Sequence, residues 1–125
     1  MILVDSSVWI DHLRRPVGRL AALLRAGQVA CHPFVIGEIA CGRVRERARF
    51  LTDLALLPQM AVATHAEALA FVESNRLAGG GIGWVDVHLL ASTVLATPST
   101  LWSRDKRLMA AAERLGVCFV EAGAP

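Results

Sequence analysis

Residues Ile2-Leu3-Val4-Asp5-Ser6-Ser7 decide the reading of the fold. The run Ile2 to Asp5 is apolar, β-branched in bias and does not alternate. That fits a strand buried on both faces, as in a parallel sheet. An acid closes the strand, and Ser6 and Ser7 can cap a helix beginning near Val8. That helix ends before Pro16, because a residue ahead of proline is pushed out of the helical region.

Outward from this start, helix and strand signals keep alternating. Val17 to Arg25 carries Leu20, Leu23 and Leu24 at helical spacing and stops at Gly27. Val29 to His32 reads as a second strand. Phe34 to Gly42 reads as a helix, with Pro33 suited to its start. Arg45 to Leu57 is a further helix, ended by Pro58. Met60 to Ala63 reads as a third strand, and Thr64 can cap a helix over Ala66 to Leu77. Gly79 to Gly83 is a loop, and Trp84 to Ala96 is a strongly apolar helix expected to be central and buried. Thr100 to Ser103 is a fourth strand, Lys106 to Leu115 a helix, and Val117 to Val120 a last strand. The pattern predicts an α/β fold: a three-layer α/β/α sandwich around a parallel sheet of four to five strands with right-handed crossovers. The chain of 125 residues shows no linker or repeat, so 1–125 is expected to form a single domain.

Composition narrows the class. With 54% apolar and 19% charged residues the chain can build a core and is not a disordered tail. No apolar run reaches the about 18 residues of a membrane span. The N-terminus carries no positive leader pattern, so a cytoplasmic protein is expected. Cys31, Cys41 and Cys118 form no C-x-x-C pair and are expected to be reduced, buried thiols. His12, His32, His65 and His88 have no zinc-binding spacing. A net charge of +2 permits a nucleic-acid partner without requiring one.

The chemistry rests on acids. Asp5 and Asp105 each stand just past the carboxyl end of an expected strand, where open α/β sheets bind ligands. Neighbouring strands lie about 4.8 Å apart, so two such acids can share one cation. Taken singly, each also reads as a helix cap or strand end. Asp86 lies in the first turn of the apolar Trp84 to Ala96 helix, behind a glycine-rich loop. Its plain alternative is compensation of the helix dipole. Glu38 interrupts Phe34-Val-Ile-Gly-Glu-Ile-Ala-Cys-Gly42, where a buried carboxylate needs a metal or a partner such as Arg43 or Arg45. At 5 Å and an effective dielectric near 20, a pair of carboxylates costs about 3 kcal/mol. A divalent cation removes that cost, and hard oxygen donors select Mg²⁺ or Mn²⁺.

Together, Asp5-Ser6-Ser7, Gly37-Glu38 with Gly42, Gly83-Trp-Val-Asp86 with Ser92, and Leu101-Trp-Ser-Arg-Asp105-Lys-Arg-Leu108 resemble the PIN-domain proteins. More narrowly they resemble the VapC toxins of toxin–antitoxin pairs, over nearly the whole chain. The resemblance implies an Mg²⁺- or Mn²⁺-dependent endoribonuclease with Asp5, Glu38, Asp86 and Asp105 as catalytic acids. Asp5, Asp86 and Asp105 would be the metal ligands, and Ser6 and Ser103 would play a supporting polar role. The family often has threonine where Ser103 stands, so the hydroxyl is kept. It further implies an RNA substrate, homodimers and a cognate VapB-type antitoxin that plugs the cleft.

The expected reaction is phosphodiester hydrolysis leaving 3′-hydroxyl and 5′-phosphate ends, with Asp5 or Asp86 orienting the attacking water. Arg43, Arg45, Arg47 and Arg49 are candidates for the RNA backbone, although their helical phases also suit a solvated face. Trp84 and Trp102 can stack on bases, but buried core is the better expectation for both. A dinucleotide fold lacks its G-x-G-x-x-G, a P-loop its G-K-[ST], a receiver domain its acidic pair and a serine hydrolase its G-x-S-x-G. From another class, the alternative is a non-catalytic PIN-fold module that binds RNA or protein.

Overall fold

The computed structural model describes residues 1–121. Strand β1 (Ile2–Val4) lies at the centre of a parallel sheet of order β2-β1-β3, flanked by β2 (Val29–Ala30) and β3 (Thr100–Trp102). Leu3 pairs with Ala30 on one side and Leu101 on the other. All three are buried, as an interior parallel strand requires. The ladder continues one step further, because Asp5 N–H donates to the Trp102 carbonyl at 2.9 Å.

The sheet has three strands, fewer than the four to five expected. Met60 to Ala63 and Val117 to Val120 do not form strands. Each margin is a single parallel bridge instead, Cys31 to Gln59 and Leu101 to Cys118. At the first margin Cys31 N–H reaches the Pro58 carbonyl and Met60 N–H the Cys31 carbonyl, and the next donor on that side would be residue 33. That residue is Pro33, which has no N–H and opens α3, so the ladder stops after one bridge.

Helices α1 (Ser6–Arg14) and α2 (Gly18–Arg25) connect β1 to β2. The path from β2 to β3 runs through α3 (Pro33–Ala40), α4 (Arg47–Leu56), α5 (His65–Ser74) and α6 (Trp84–Leu95), and α7 (Lys106–Arg114) follows β3. The chain leaves β1 in one direction and then returns past it. With right-handed crossovers this puts helices on both faces and makes the three-layer sandwich. It also makes the carboxyl edge between β1 and β3 a topological switch point.

Local chemistry explains the helix starts. Thr64 and Glu67 close a capping box on α5, with reciprocal bonds of 3.1 and 2.8 Å. Pro33 opens α3, and His32 rather than a serine caps it, its Nδ1 accepting from Phe34 N–H at 2.9 Å. Helix α6 is buried continuously from Val87 to Thr93, which fits its apolar surface on all sides. No helix among the described residues is long and apolar enough to cross a membrane. The three cysteines are free, but only Cys31 is buried; Cys118 is half-buried and Cys41 is exposed just past α3.

Candidate active site

Asp5 has left the ladder but not the core. It is 6% exposed and sits at the N-terminus of α1, yet its carboxylate caps no helical N–H. Its oxygens face hydroxyls instead. Oδ2 accepts from Ser103 Oγ at 2.7 Å and from Ser7 Oγ at 2.8 Å, while Ser6 Oγ lies 3.4 Å from Oδ1. A serine has one proton to donate. Ser7 and Ser103, 3.2 Å apart, therefore flank one oxygen rather than bonding to each other. The backbone fills their acceptor sides: Arg104 N–H donates to Ser7 and Asp105 N–H to Ser103, both at 3.0 Å. From sequence Ser7 reads as a helix cap, but it lies inside α1, which starts at Ser6, and its hydroxyl donates to Asp5. Its serine type beside Asp5 was the only signal of that contact.

Glu38 reaches the same place from α3. Ser6 Oγ donates to its Oε1 at 3.1 Å, so one serine spans Asp5 and Glu38. As a residue Glu38 is exposed rather than buried, which corrects the expectation drawn from its apolar flanks. Helix α3 turns this position to the mouth of the site. Its carboxyl is still crowded. Desolvation first, then repulsion from Asp5 and Asp86, raises its pKa above the usual value, and the Ser6 bond only partly opposes this.

Asp86 is half-buried at the start of α6. Its Oδ2 accepts from Gly83 N–H at 3.2 Å, holding the end of the glycine loop. Its pKa is also raised, mainly by desolvation, with Asp5 and Asp105 adding repulsion against the Gly83 bond. Asp105 is exposed and caps α7, its Oδ1 accepting from the N–H groups of Arg107 and Leu108 at 2.9 and 3.1 Å. The dipole and capping roles foreseen for Asp86 and Asp105 are therefore real, and they coexist with the mutual repulsion.

Glu38 is thus repelled by Asp5 and Asp86, and Asp86 by Asp5 and Asp105, and among the described residues no cation pairs with any of the four. Among the described residues neither Arg43 nor Arg45, nor any other lysine or arginine, forms a salt bridge with them. The ion pairs present join Arg104 to Asp11 and to Glu121. As the side chains stand, no three His, Cys, Asp or Glu among the described residues close on one point tightly enough to hold an ion. Serine hydroxyls and helix N–H groups hold the carboxylates in place. The donor set nonetheless fits a hard divalent cation, being all carboxylate oxygen with unmatched charge.

The tryptophans divide. Trp102 is fully buried, as expected, whereas Trp84 is 39% exposed. Trp84 opens α6 beside the glycine loop and packs against His65 and His88, with ring centroids 5.3 and 4.9 Å away. Arg43, Arg45, Arg47 and Arg49 are all exposed, and Arg47 directs Nε and Nη2 to the Ala40 carbonyl.

The sequence matches the family model of the PIN domain over residues 2–114. It is 49% identical over 121 residues to Ribonuclease VapC32 of Mycobacterium tuberculosis strain CDC 1551 / Oshkosh, covering 97% of this chain and 98% of that one. The same figures hold for Ribonuclease VapC32 of strain ATCC 25618 / H37Rv. The crystal structure of PAE2754 from Pyrobaculum aerophilum superposes with a TM-score of 0.61 at 16% identity, over 94% of this chain and 81% of that one. At that identity the likeness speaks for the fold alone.

Proposed function

This chain belongs to the PIN-domain family, in its VapC-type branch, and from that premise we propose that it is an Mg²⁺- or Mn²⁺-dependent endoribonuclease. In this reading it is one cytoplasmic domain, the toxin of a type II toxin–antitoxin pair. It works as a homodimer and is neutralised by a cognate VapB-type antitoxin. The observation that carries the reading is the group of Asp5, Glu38, Asp86 and Asp105, mutually repelling and without a protein cation, at the switch point of the sheet.

Asp5, Asp86 and Asp105 would hold the ion, with Glu38 beside them. A bound Mg²⁺ supplies Lewis acidity toward a phosphate and lowers the pKa of a bound water. The chain's own groups do the rest. Ser7 and Ser103 fix Asp5 in one orientation, which is what precise placement of a phosphodiester demands. Ser6 ties Glu38 to the same frame. Asp86 spends Oδ2 on Gly83, so Oδ1 is the oxygen left to face the ion and the water it would carry.

The test is cleavage of a mixed RNA pool by the purified protein, with sequencing of the fragment ends. Cleavage should require Mg²⁺ or Mn²⁺, stop in EDTA and leave 5′-phosphates. Asp5→Ala should abolish it. Undiminished cleavage by Asp5→Ala would remove the proposed site. RNA binding without cleavage under either metal would leave only a non-catalytic binding module.

A further inference from the structure

The glycine-rich turn between α5 and α6 touches an acid at one residue and an arginine cavity at others. Gly83 N–H is held by Asp86. Arg76, Arg107 and Arg114 line a cavity of about 260 Å³ together with Leu77, Gly80 and Ile82. Arg107 and Arg114 are seven positions apart on α7 and so share a face. Arg76 follows α5 in the left-handed region at φ 52°.

Glycine makes room for this arrangement. A Cβ at Gly81, itself at φ +79°, would stand 2.7 Å from Arg107 Cδ and 2.8 Å from its Nη1. Arg114 Nη2 donates to the Asn75 carbonyl at 2.8 Å, which orients its guanidinium but leaves the charge unmatched. Among the described residues none of the three arginines is salt-bridged. Arg104 differs, being neutralised by Asp11 and Glu121.

An RNA strand approaching four carboxylates is repelled by them. Sequence-independent affinity for a polyanion must then come from unmatched cations nearby. Arg107 lies two positions after Asp105 and donates its N–H to that acid, so one turn of α7 belongs to both the cavity and the acidic site. We propose that the cavity of Arg76, Arg107 and Arg114 is a subsite for an RNA backbone phosphate outside the acidic cleft. This rests on the ribonuclease reading above. Guanidinium forks match phosphate oxygens bidentately. The stretch from Arg43 to Arg49 fits the role less well. Arg47 is spent on the Ala40 carbonyl, and Glu46 and Asp53 line the same groove as Arg45 and Arg49.

The experiment measures binding of a labelled single-stranded RNA by fluorescence anisotropy, in EDTA so that nothing is cleaved. The Arg76→Ala/Arg107→Ala double variant should raise Kd at least about tenfold. Its slope of log affinity against log salt should shrink by about 0.7, the share of one lost phosphate contact. Arg107→Lys should keep most of the slope, because the charge remains. Should the double variant melt early, Arg114→Gln is read in the same way. A folded variant with the Kd and salt slope of the parent protein overturns the subsite. So does weakened binding of inorganic phosphate or AMP with RNA binding intact, which assigns the cavity to a free phosphate. A loss confined to an acidic protein partner overturns it as well. If the parent protein cleaves RNA and only the variants' binding is unaltered, the subsite alone falls. If the parent neither binds nor cleaves RNA, both readings fall.

Discussion

Ser103 Oγ donates to Asp5 Oδ2 at 2.7 Å across 98 positions of sequence, and it accepts from Asp105 N–H at 3.0 Å. One hydroxyl therefore links two acids across the β1–β3 seam. Ser103→Ala would leave a buried carboxylate short of a donor and a backbone N–H without an acceptor. A hydrogen bond to a charged group contributes about 1.5–3 kcal/mol. Urea melts should show a loss of that order, and RNA cleavage should fall at least about tenfold. Ser103→Thr keeps the hydroxyl and should restore most of both. Wild-type cleavage by Ser103→Ala would show that this contact does not position Asp5.

Asp86→Asn separates charge from shape. An asparagine oxygen can still accept from Gly83 N–H, so the start of α6 keeps its bond. What disappears is a negative charge repelled by Asp5 and Asp105. In metal-free protein the variant should gain about 0.5 kcal/mol, roughly 2 °C in Tm, allowing for solvent screening. Mg²⁺ should raise the Tm of the parent protein and move that of the variant far less. Cleavage should drop at least about a hundredfold, in line with loss of a site electrostatic group. A fully active variant would take Asp86 out of the site.

The raised pKa values of Glu38 and Asp86 give a pH dependence of definite sign. Their ordinary values are 4.5 and 3.8, and both are higher in the folded chain. Folded protein then binds more protons than unfolded protein in the window between ordinary and raised values. Stability consequently falls as pH rises through that window. His32 acts oppositely. Burial, with His88 adding to it, lowers its pKa to about 4, so its contribution is present above pH 6.5 and is lost as pH falls toward 4. The two trends overlap, so the measurement is a difference. Metal-free denaturant melts from pH 4 to pH 7 should show Glu38→Gln/Asp86→Asn gaining on the parent as pH rises. A constant difference would mean that folding raises the pKa of neither carboxyl.

Much of this was legible in the sequence because it depends on local order. β1, the helix bounds and the central burial of α6 follow from apolar runs and from glycine and proline stops. The placement of Asp5 at the switch point follows from strand and helix alternation. The missing edge strand at Met60 to Ala63 is hard to read from its own residues, because its ladder is cut short by Pro33 on a segment distant in sequence. The exposure of Glu38 and Trp84 was hidden for a similar reason. Apolar neighbours in sequence do not say which side of a helix faces the neighbouring elements. The role of Ser7 needed Ser103 and Arg104 in place beside it. The arginine cavity draws on Arg76 and Arg114, which no motif joins.

A chain of bonds away from the acids offers a stability prediction without a catalytic component. His32 Nδ1 accepts from Phe34 N–H, so its proton sits on Nε2 and points to Ser92 Oγ at 3.0 Å. Ser92 in turn donates to the Ala61 carbonyl at 2.6 Å. The relay ties the start of α3 to the middle of α6 and to the segment that fails to form a strand. His32 and Ser92 are 0% and 2% exposed, so water cannot replace a lost partner. Ser92→Ala would orphan the His32 Nε2–H and the Ala61 carbonyl together, at a cost of about 2–3 kcal/mol. Thermal melts at pH 7 should show Tm lower by roughly 10 °C. None of these bonds reaches Asp5, Glu38, Asp86 or Asp105, so cleavage well below the transition should stay near that of the parent. An unchanged Tm would mean that the relay contributes nothing to holding α3 on α6.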